Sequence, residues 1–408
     1  MTGRFRFVLC FLHLLVGDPG AHASRLEDGC YRVRPGESIQ EALDQAAADP
    51  SHKIVRVGAG TYRPTARGQA LIGFNYRHDG VRLEADGEVT LTAAAPELAD
   101  PEAPSFPAVV NHVVYFGDGI SSNTVLRGFR ITGGNRFATD QQPANGPLEP
   151  RFDQLRKTEG FYGHLFFYTD GAGIKIFGRS YPTLENLEVV DNEASPCGGG
   201  ISIEHRGFAA NHVTIRDSVF RDNRALVTGS AVDLLPGSSA TLVNCLFVGN
   251  RSNLGNEHTP VKGNLDWPNL PALIRSAAGY LPENGSGAVT VFPGSFILLD
   301  RCTLTANRNG LDDRGSRSVV RNCIFWRNNL PGGARSGSRY ELDIARAALV
   351  ERCFIGGDQP DLRRTIDPNR NTLHCPDPDF DDAFRPRHPD FKGVGYRPVS
   401  PSTTKFAP

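Results

Sequence analysis

The chain has 408 residues, of which 39% are hydrophobic and 22% charged, and its net charge at pH 7 is −1. This length allows one large domain or two ordinary ones. The balanced charge argues against a nucleic-acid binder, which needs a strongly basic face, and the composition is that of a soluble folded protein.

The first 23 residues have the organisation of a secretory signal peptide. Arg4 and Arg6 precede an apolar run over residues 7–16, and Ala21-His22-Ala23 matches a small-residue cleavage site. The apolar run is about half of the ~20 residues that a membrane span needs. We therefore expect an exported protein, secreted or periplasmic, whose mature chain starts near Ser24 and does not span a membrane.

Residues 38–48 are predicted to form a short helix that caps the N-terminal end of the folded domain. Ser38 and Glu41 have the spacing of a capping box. An apolar stripe at helical spacing lies behind them and consists of Ile39, Ala42, Leu43 and Ala46. A strand over residues 54–57 follows and turns at Gly58-Ala59-Gly60.

A six-residue unit is then repeated along the sequence, with small or apolar residues at its first and third positions and Asn or Asp at its sixth. Its copies start at Leu187, Ser218, Cys245, Cys302, Cys323 and Cys353, and a looser copy covers residues 128–135. A second short strand precedes the units, for example at residues 173–177, 200–204, 230–235 and 287–292.

Units this short cannot bury a hydrophobic face alone, so they must stack on one another. The repeat therefore predicts an all-β fold, a single-stranded parallel β-helix whose coils lie ~4.8 Å apart. Equivalent cysteines should form one buried column. The asparagines should form another at the turns, where Asn tolerates the left-handed conformation and can hydrogen-bond along its column.

The seven cysteines after the signal peptide are predicted to be such buried rungs. Paired Cys-x-x-Cys spacings, which a structural zinc or iron–sulfur site would need, are absent from the sequence. Side chains that point in parallel fit a disulfide poorly. If a disulfide forms, the pair expected is Cys353 with Cys375.

The predicted β-helix domain covers residues 24–403. Two insertions, residues 136–170 and 251–286, interrupt the repeat, and long insertions in a solenoid lie as loops on one side. The proline-rich residues 359–403 are predicted to be an irregular C-terminal cap, followed by a tail at 404–408.

Three motifs resemble the pectate-lyase-like superfamily of right-handed parallel β-helices. They are Ser-Ile-Gln-Glu-Ala-Leu at 38–43, Val-Gly-Ala-Gly-Thr-Tyr at 57–62, and the repeated Cys-x-Phe-x-x-Asn. The endings at 377–380 and 398–402 resemble the last segment of secreted bacterial members. The resemblance implies a right-handed β-helix with a short N-terminal capping helix and a polysaccharide lying across one outer sheet. Among hydrolase signatures of the superfamily, the Asp312-Asp313 pair has a counterpart here, but no complete active site carries over.

Strand alternation predicts a candidate site on the outer side of that sheet. If Ile174 and Ile176 point inward, Lys175 points outward, and Ser202, Asp233 and Thr290 take the same place on later coils. The predicted catalytic residues are Lys175, Glu204, His205, Asp233, Asp312 and Asp313. Carboxylates two coils apart would be ~9–10 Å apart, which suits an inverting glycosidase or the start of a Ca²⁺ site. Alternatively, these residues only solvate an outer face.

Side chains around this row are predicted to bind substrate. Arg206 and Arg314 would contact sugar hydroxyls, and aromatic rings on the insertions would stack on sugars. The rings proposed for stacking are Tyr162, Tyr168, Trp267 and Tyr280. The alternative is that these rings pack the inserted loops onto the coils.

These features predict a monomeric exported protein that binds and processes a polysaccharide as a lyase or a glycoside hydrolase. No cofactor follows from the sequence, although Ca²⁺ is compatible with the carboxylates. The alternative is a non-catalytic surface or envelope protein in which the solenoid serves only as a scaffold.

Overall fold

Successive coils of the chain stack along one axis, and each coil adds strands to flat outer faces. The structure, a computed structural model, describes residues 25–141, 147–151, 167–208, 210–252, 254, 287–315, 317–330, 339–344, 349–357 and 365–399. In the described part of the chain, the strands of successive coils pair in parallel, with register shifts at Gly58/Gly60 and Glu84/Val89 in the early coils. The one antiparallel ladder described there joins Arg25–Glu27 to Cys30–Val33 at the start. The predicted parallel β-helix is therefore confirmed.

Face A is a sheet of eight parallel strands. From the first coil to the last it contains Gly68–Phe74, Val110–Phe116, Ile174–Phe177, Ile201–Glu204, Val232–Leu234, Val289–Val291, Leu311–Asp313 and Leu342–Ile344. Val232–Leu234 pairs directly with Val289–Val291. The long interval between these strands is therefore a single coil that carries an insertion.

Faces B and C share one 18-stranded sheet, because the long strands Ile54–Tyr62, Arg82–Thr92 and Val125–Thr132 run across both. Face B continues with Thr183–Glu185, Val213–Arg216, Ser239–Val243, Phe296–Asp300, Val319–Arg321 and Leu349–Glu351. Face C continues with Glu188–Val190, Val219–Arg221, Leu246–Val248, Thr303–Thr305, Ile324–Trp326, Phe354–Ile355 and Thr372–Leu373. Glu193–Ala194 and Arg224–Ala225 form a separate two-stranded sheet, and 3₁₀ helices cover Tyr76–His78 and Pro389–Phe391.

A left-handed residue makes each corner of the later coils. The residue just before the first position of each repeat unit has φ near +50°, as in Asn186, Asp217 and Arg301. The residue before the asparagine at the sixth position of a unit also has a positive φ, as in Asp191 and Asp222. The expectation that the ladder asparagines themselves adopt this conformation is wrong. Their side chains are needed for hydrogen bonding inside the coil, and the neighbour takes the turn.

The ladder asparagines are Asn192, Asn223, Asn250, Asn307 and Asn328, and all five are buried. Each Nδ2 donates to the Oδ1 of the next asparagine at 2.8–3.1 Å, and the backbone N–H of the same residue donates to that oxygen as well. Glu341 ends the ladder, because its carboxylate accepts hydrogen bonds from Asn328 Nδ2 at 2.5 Å and from the Asn328 backbone N–H at 3.2 Å. The predicted asparagine column is confirmed.

The cysteines Cys245, Cys302, Cys323 and Cys353 form the predicted buried column in the main core. Each thiol donates to the carbonyl two residues before it, at 3.1–3.5 Å. Cys353 and Cys375 are both free thiols, so the disulfide considered for them is not formed. Cys375 instead packs beside Phe391 and Val394, outside the column.

The predicted capping helix spans Ile39–Ala48 and packs on the first coil. Ser38 Oγ accepts a hydrogen bond from the Glu41 N–H at 3.2 Å, which satisfies one free donor of the first turn. The buried residues of the helix belong to the main core and are the predicted Ile39, Ala42, Leu43 and Ala46. Among the described residues, no helix is long and apolar enough to cross a membrane.

The C-terminal segment does more than cap the last coil. After Thr372–Leu373 the chain turns back along the outside of face C and passes several coils. The Gly395 N–H donates to Asn322 O at 2.8 Å, and the Arg397 N–H donates to Asn244 Oδ1 at 2.7 Å. Apolar side chains on the outside of face C are covered in this way, including Leu246 and Ile324. Residues 375–397 therefore strap three coils together.

Replacing Cys302 by Asp should destabilise the fold strongly. Cys302 is completely buried between apolar neighbours, so a carboxyl group there has no ionic partner in the core. We expect the free energy of unfolding to fall by at least about 3 kcal/mol. Chemical denaturation measures this, with Leu349→Asp as the control because Leu349 is an exposed strand residue. Equal losses in the two variants would contradict the buried column.

Glu341 should make stability depend on pH. Burial raises the pKa of Glu341 to about 7, above the ordinary value of 4.5 that the unfolded chain has. Between these values the folded state holds the proton more tightly, so stability is greatest below pH 4.5 and falls as the pH rises to about 7. The contribution of this group is about 3 kcal/mol. Chemical denaturation across this pH range should show the fall in the wild type and a flatter profile in Glu341→Gln. Parallel profiles would contradict the assignment.

Candidate functional site

One line of polar residues runs along the outer side of face A, here called the outer polar row. It consists of Lys175, Ser202, Asp233, Thr290, Asp312 and Asp343, each paired in register with the next. The residues on either side of each member point into the core, as Ile174 and Ile176 do. The register predicted for Lys175, Ser202, Asp233 and Thr290 is therefore the one observed. Asp343 was missed, because the sequence analysis identified no strand before the Cys353 unit.

The pair Asp312-Asp313 is divided between the two sides of its strand. Asp312 belongs to the outer polar row and has Arg314 Nε 3.6 Å from its Oδ1. Asp313 pairs with Val291 and Ile344 in an inward column, and its Oδ1 accepts the Gly315 N–H at 2.8 Å. The two carboxylates therefore do not act from one side of the strand.

The outer polar row is buried, and the expectation of an open outer sheet is wrong. Each member is at most 2% exposed. At the start of the row, Phe167 lies against Tyr115 and Phe177, with ring centroids 5.6 and 4.9 Å apart. Tyr168, predicted to stack on sugars, is only 6% exposed and lies edge-on to Phe167. These rings pack the end of the first insertion onto the sheet.

Glu204 joins two cations beside the row. Its Oε2 lies 2.6 Å from Lys175 Nζ, and its Oε1 accepts hydrogen bonds from Arg206 at 2.6 and 2.9 Å. Burial alone would raise the pKa of Glu204, but the charges of Arg206 and Lys175 hold it below its usual value. Arg206 also lies 4.9 Å from the Phe177 ring. The three residues form a buried ion triad, so Arg206 and Glu204 are not the exposed groups that the sequence suggested.

His205 is also buried and does not face solvent. Its Nε2 is 2.9 Å from Ser180 O, and the Ser239 N–H donates to its Nδ1 at 3.2 Å. Burial lowers the pKa of His205 to about 4, so the ring is neutral at pH 7. Both ring nitrogens contact the backbone of neighbouring coils, so His205 stabilises the turn and does not face a substrate.

A cluster that the sequence analysis missed lies beside the row. Asp170, Cys197 and Asp233 are all buried, and one ligand atom from each lies within 4.8 Å of the others. Burial raises the pKa of Asp233 to about 8. The negative charge of Asp312 adds to this rise, whereas Thr228 and the positive charge of Lys175 oppose it. Burial also raises the pKa of Asp170 and of the Cys197 thiol well above their usual values.

A sequence signal for this cluster exists. The segments Asp-Gly-Ala-Gly-Ile at 170–174, Cys-Gly-Gly-Gly-Ile at 197–201 and Thr-Gly-Ser-Ala-Val at 228–232 repeat one pattern just before the face A strands. Their first residues stack, since the Gly171 N–H donates to Cys197 O and the Gly198 N–H to Thr228 O. Aligning these turns as well as the strands would have placed Asp170 and Cys197 next to the row.

The remaining predicted binding residues lie outside the described part of the chain. These are Tyr162, Trp267 and Tyr280. Arg314 is described and lies next to Asp312 at one end of the row.

A protein-family model agrees with this architecture. The family model described as "Right handed beta helix region" matches residues 114–264, a segment that includes Lys175, Glu204 and Asp233. Together with the stacked parallel coils, this match identifies the chain as a right-handed parallel β-helix protein, as predicted.

A search of curated proteins found no match. Among solved structures, tailspike protein 2 of Escherichia coli O157:H7 bacteriophage CAB120 is similar at 10% sequence identity and a TM-score of 0.33. The alignment covers 79% of this chain and 36% of the tailspike chain.

Breaking the ion triad should be costly. Lys175→Met leaves Glu204 buried with one cation fewer, and we expect the free energy of unfolding to fall by about 3–5 kcal/mol. The double variant Lys175→Met/Glu204→Gln should lose less than the two single variants together, because the uncompensated carboxylate is gone. Chemical denaturation of the four proteins measures the coupling.

The matched control for the triad is Arg216→Met. Arg216 shares Glu185 with Arg127 on face B, and both arginine side chains are more than 40% exposed. Its loss should cost no more than about 1 kcal/mol. Equal losses of stability in Lys175→Met and Arg216→Met would contradict a buried ion triad.

Proposed function

We propose that this protein binds a polysaccharide along face A and cleaves its glycosidic bonds as a lyase or a hydrolase. The observation that carries the proposal is the outer polar row itself. A lysine or an aspartate occupies the same strand position on four of six consecutive coils. Stability alone does not require this, because serine and threonine fill the same position on other coils.

The spacing of the row suits a chain of sugars. Asp233 and Asp312 are separated by the Thr290 coil, so their backbones are ~9–10 Å apart. Glycoside hydrolysis uses two carboxyl groups on either side of the bond that breaks. Lys175 and Arg314 add positive charge next to the carboxyl groups, where it can offset charge that develops in the reaction.

Export and a monomeric state are parts of the same proposal. The signal-like first 23 residues support delivery outside the cytoplasm, where polysaccharides are accessible. Phe167 and Tyr168 pack on the sheet, so other aromatic residues of the two insertions would supply the stacking surface for sugars. Trp267 is the best candidate because of its large ring.

A second function, a non-catalytic scaffold, is favoured by one observation. All members of the row are at most 2% exposed, so a sugar would touch them only after the covering segments give way. In this alternative the row is an internal polar network that fixes the inserted segment on the sheet.

Asp233→Asn separates the two functions. The purified protein would be tested against acidic and neutral polysaccharides, with Ca²⁺ and EDTA arms. New absorbance from an unsaturated product indicates a lyase, and reducing ends alone indicate a hydrolase. If the row is catalytic, Asp233→Asn should reduce turnover at least about 100-fold in a protein that remains folded.

The control is Asp300→Asn, which removes a carboxylate that Arg321 pairs with on face B. It should leave turnover unchanged. Absence of any cleavage by the wild type over the whole panel would leave the scaffold as the function.

Trp267→Ala should weaken glycan binding. An aromatic ring that stacks on a sugar contributes roughly 1–2 kcal/mol, so affinity should fall about 5–30-fold. Glycan affinity chromatography or calorimetry measures this, with Trp326→Ala as the control, since Trp326 packs against the C-terminal segment. Unchanged affinity in Trp267→Ala would exclude this ring as a stacking surface.

A further inference from the structure

Three buried groups with metal-binding chemistry come from three successive coils. Asp170 and Cys197 precede the strands Ile174–Phe177 and Ile201–Glu204, and Asp233 lies in the strand Val232–Leu234. Their ligand atoms lie within 4.8 Å of one another. Tetrahedral zinc with ligands at about 2.0–2.3 Å sets its ligand atoms roughly 3.5 Å apart, which side-chain rotation can reach here.

Their polar atoms point to a missing ligand. Both carboxylate oxygens of Asp233 and Oδ2 of Asp170 are buried and make no hydrogen bond of normal geometry with any described residue, although the Thr228 hydroxyl lies near Asp233. Both residues are completely buried. A buried carboxyl group without partners costs several kcal/mol unless a proton or a cation compensates it. Such atoms are rare in folded proteins and indicate a bound ion or water.

The backbone around the cluster makes room for these side chains. Gly198 and Gly229 follow Cys197 and Thr228 with φ of +66° and +59°. A Cβ at Gly229 would lie 2.3 Å from Asp233 Oδ1, and one at Gly198 would lie 2.7 Å from Ser202 Cβ. Any other residue at either position would displace the face A strand.

The charged groups around the cluster include one lysine but two further carboxylates, so its two aspartates are not balanced by positive charge. Lys175 acts on both aspartates, but its Nζ also lies 2.6 Å from Glu204 Oε2. Glu204 and Asp312 add negative charge from the neighbouring positions. A divalent cation would balance two aspartates at this place.

We infer that Asp170, Cys197 and Asp233 bind a divalent transition-metal ion of the zinc class. Zn²⁺ accepts both thiolate and carboxylate ligands, whereas Ca²⁺ and Mg²⁺ prefer six or more oxygen ligands or an octahedral oxygen shell. Three protein ligands leave one position of the metal for water or another oxygen ligand. The ion would hold three coils together at the outer side of face A.

This inference does not depend on the proposed glycan-cleaving function, because metal binding is measured without a glycan. The full-length mature protein, free of a histidine tag, would be treated with a chelator and dialysed. It would then be titrated with Zn²⁺, Co²⁺ and Ca²⁺. Binding would be followed by calorimetry and elemental analysis, and the Co²⁺ complex by its thiolate-to-metal charge-transfer absorption.

We expect one Zn²⁺ or Co²⁺ per chain, a thiolate charge-transfer band, and a higher melting temperature with Zn²⁺ than with Ca²⁺. Cys197→Ser should abolish the band and weaken Zn²⁺ binding at least about tenfold, and Asp233→Asn should weaken it similarly. Cys245→Ser is the matched control, because Cys245 is an equally buried thiol in the core column. It should keep both the band and the affinity.

Three results would overturn the inference. They are no Zn²⁺ bound by the folded wild type, equal loss of binding in Cys197→Ser and Cys245→Ser, or binding of Ca²⁺ in preference to Zn²⁺. If metal binds as expected but no glycan is cleaved, the metal site stands and the proposed function fails. If glycan is cleaved but the folded protein binds no Zn²⁺, the proposed function stands and the metal site fails.

Discussion

In-register stacking of the coils is the constraint on which the rest of this structure depends. Because each coil lies directly above the previous one, a side chain is surrounded by its own equivalents about 4.8 Å away. An asparagine can then donate to the next asparagine, and five of them make one continuous ladder through the core. The same geometry places four thiols in one apolar column.

Stacking also explains why a repeat with so little conserved identity folds consistently. The corners are made by left-handed residues that include Asn186, Asp217, Arg301 and Ala306, so no single residue type is required there. A non-glycine residue in this conformation costs roughly 1 kcal/mol. The ladder hydrogen bonds and the burial of the strands on both sides of each corner offset that cost. Position in the coil, rather than residue type, selects the conformation.

The same stacking concentrates charge on face A. Outward positions of successive coils fall in one line, so Lys175, Asp233 and Asp312 are neighbours although they are far apart in sequence. Aromatic residues around Phe167 cover the start of that line, and burial away from water makes an uncompensated charge there destabilising. The ion triad of Lys175, Glu204 and Arg206 compensates charge at one end. Beside it, Asp170, Cys197 and Asp233 form a cluster of acidic and thiol groups, which is where a cation would be held.

The sequence by itself determined the architecture, the capping helix, both ladders and the register of the outer polar row. All of these follow from short-range periodicity, because a repeated unit with alternating inward and outward residues stacks in only one register without exposing its core. Tertiary structure alone decided that the row is buried and that Cys353 and Cys375 stay apart. It also decided that the C-terminal segment returns along face C and that Asp170 and Cys197 meet Asp233. These features depend on irregular segments folding back over the coils, and periodicity carries no information about where a non-repeating segment packs.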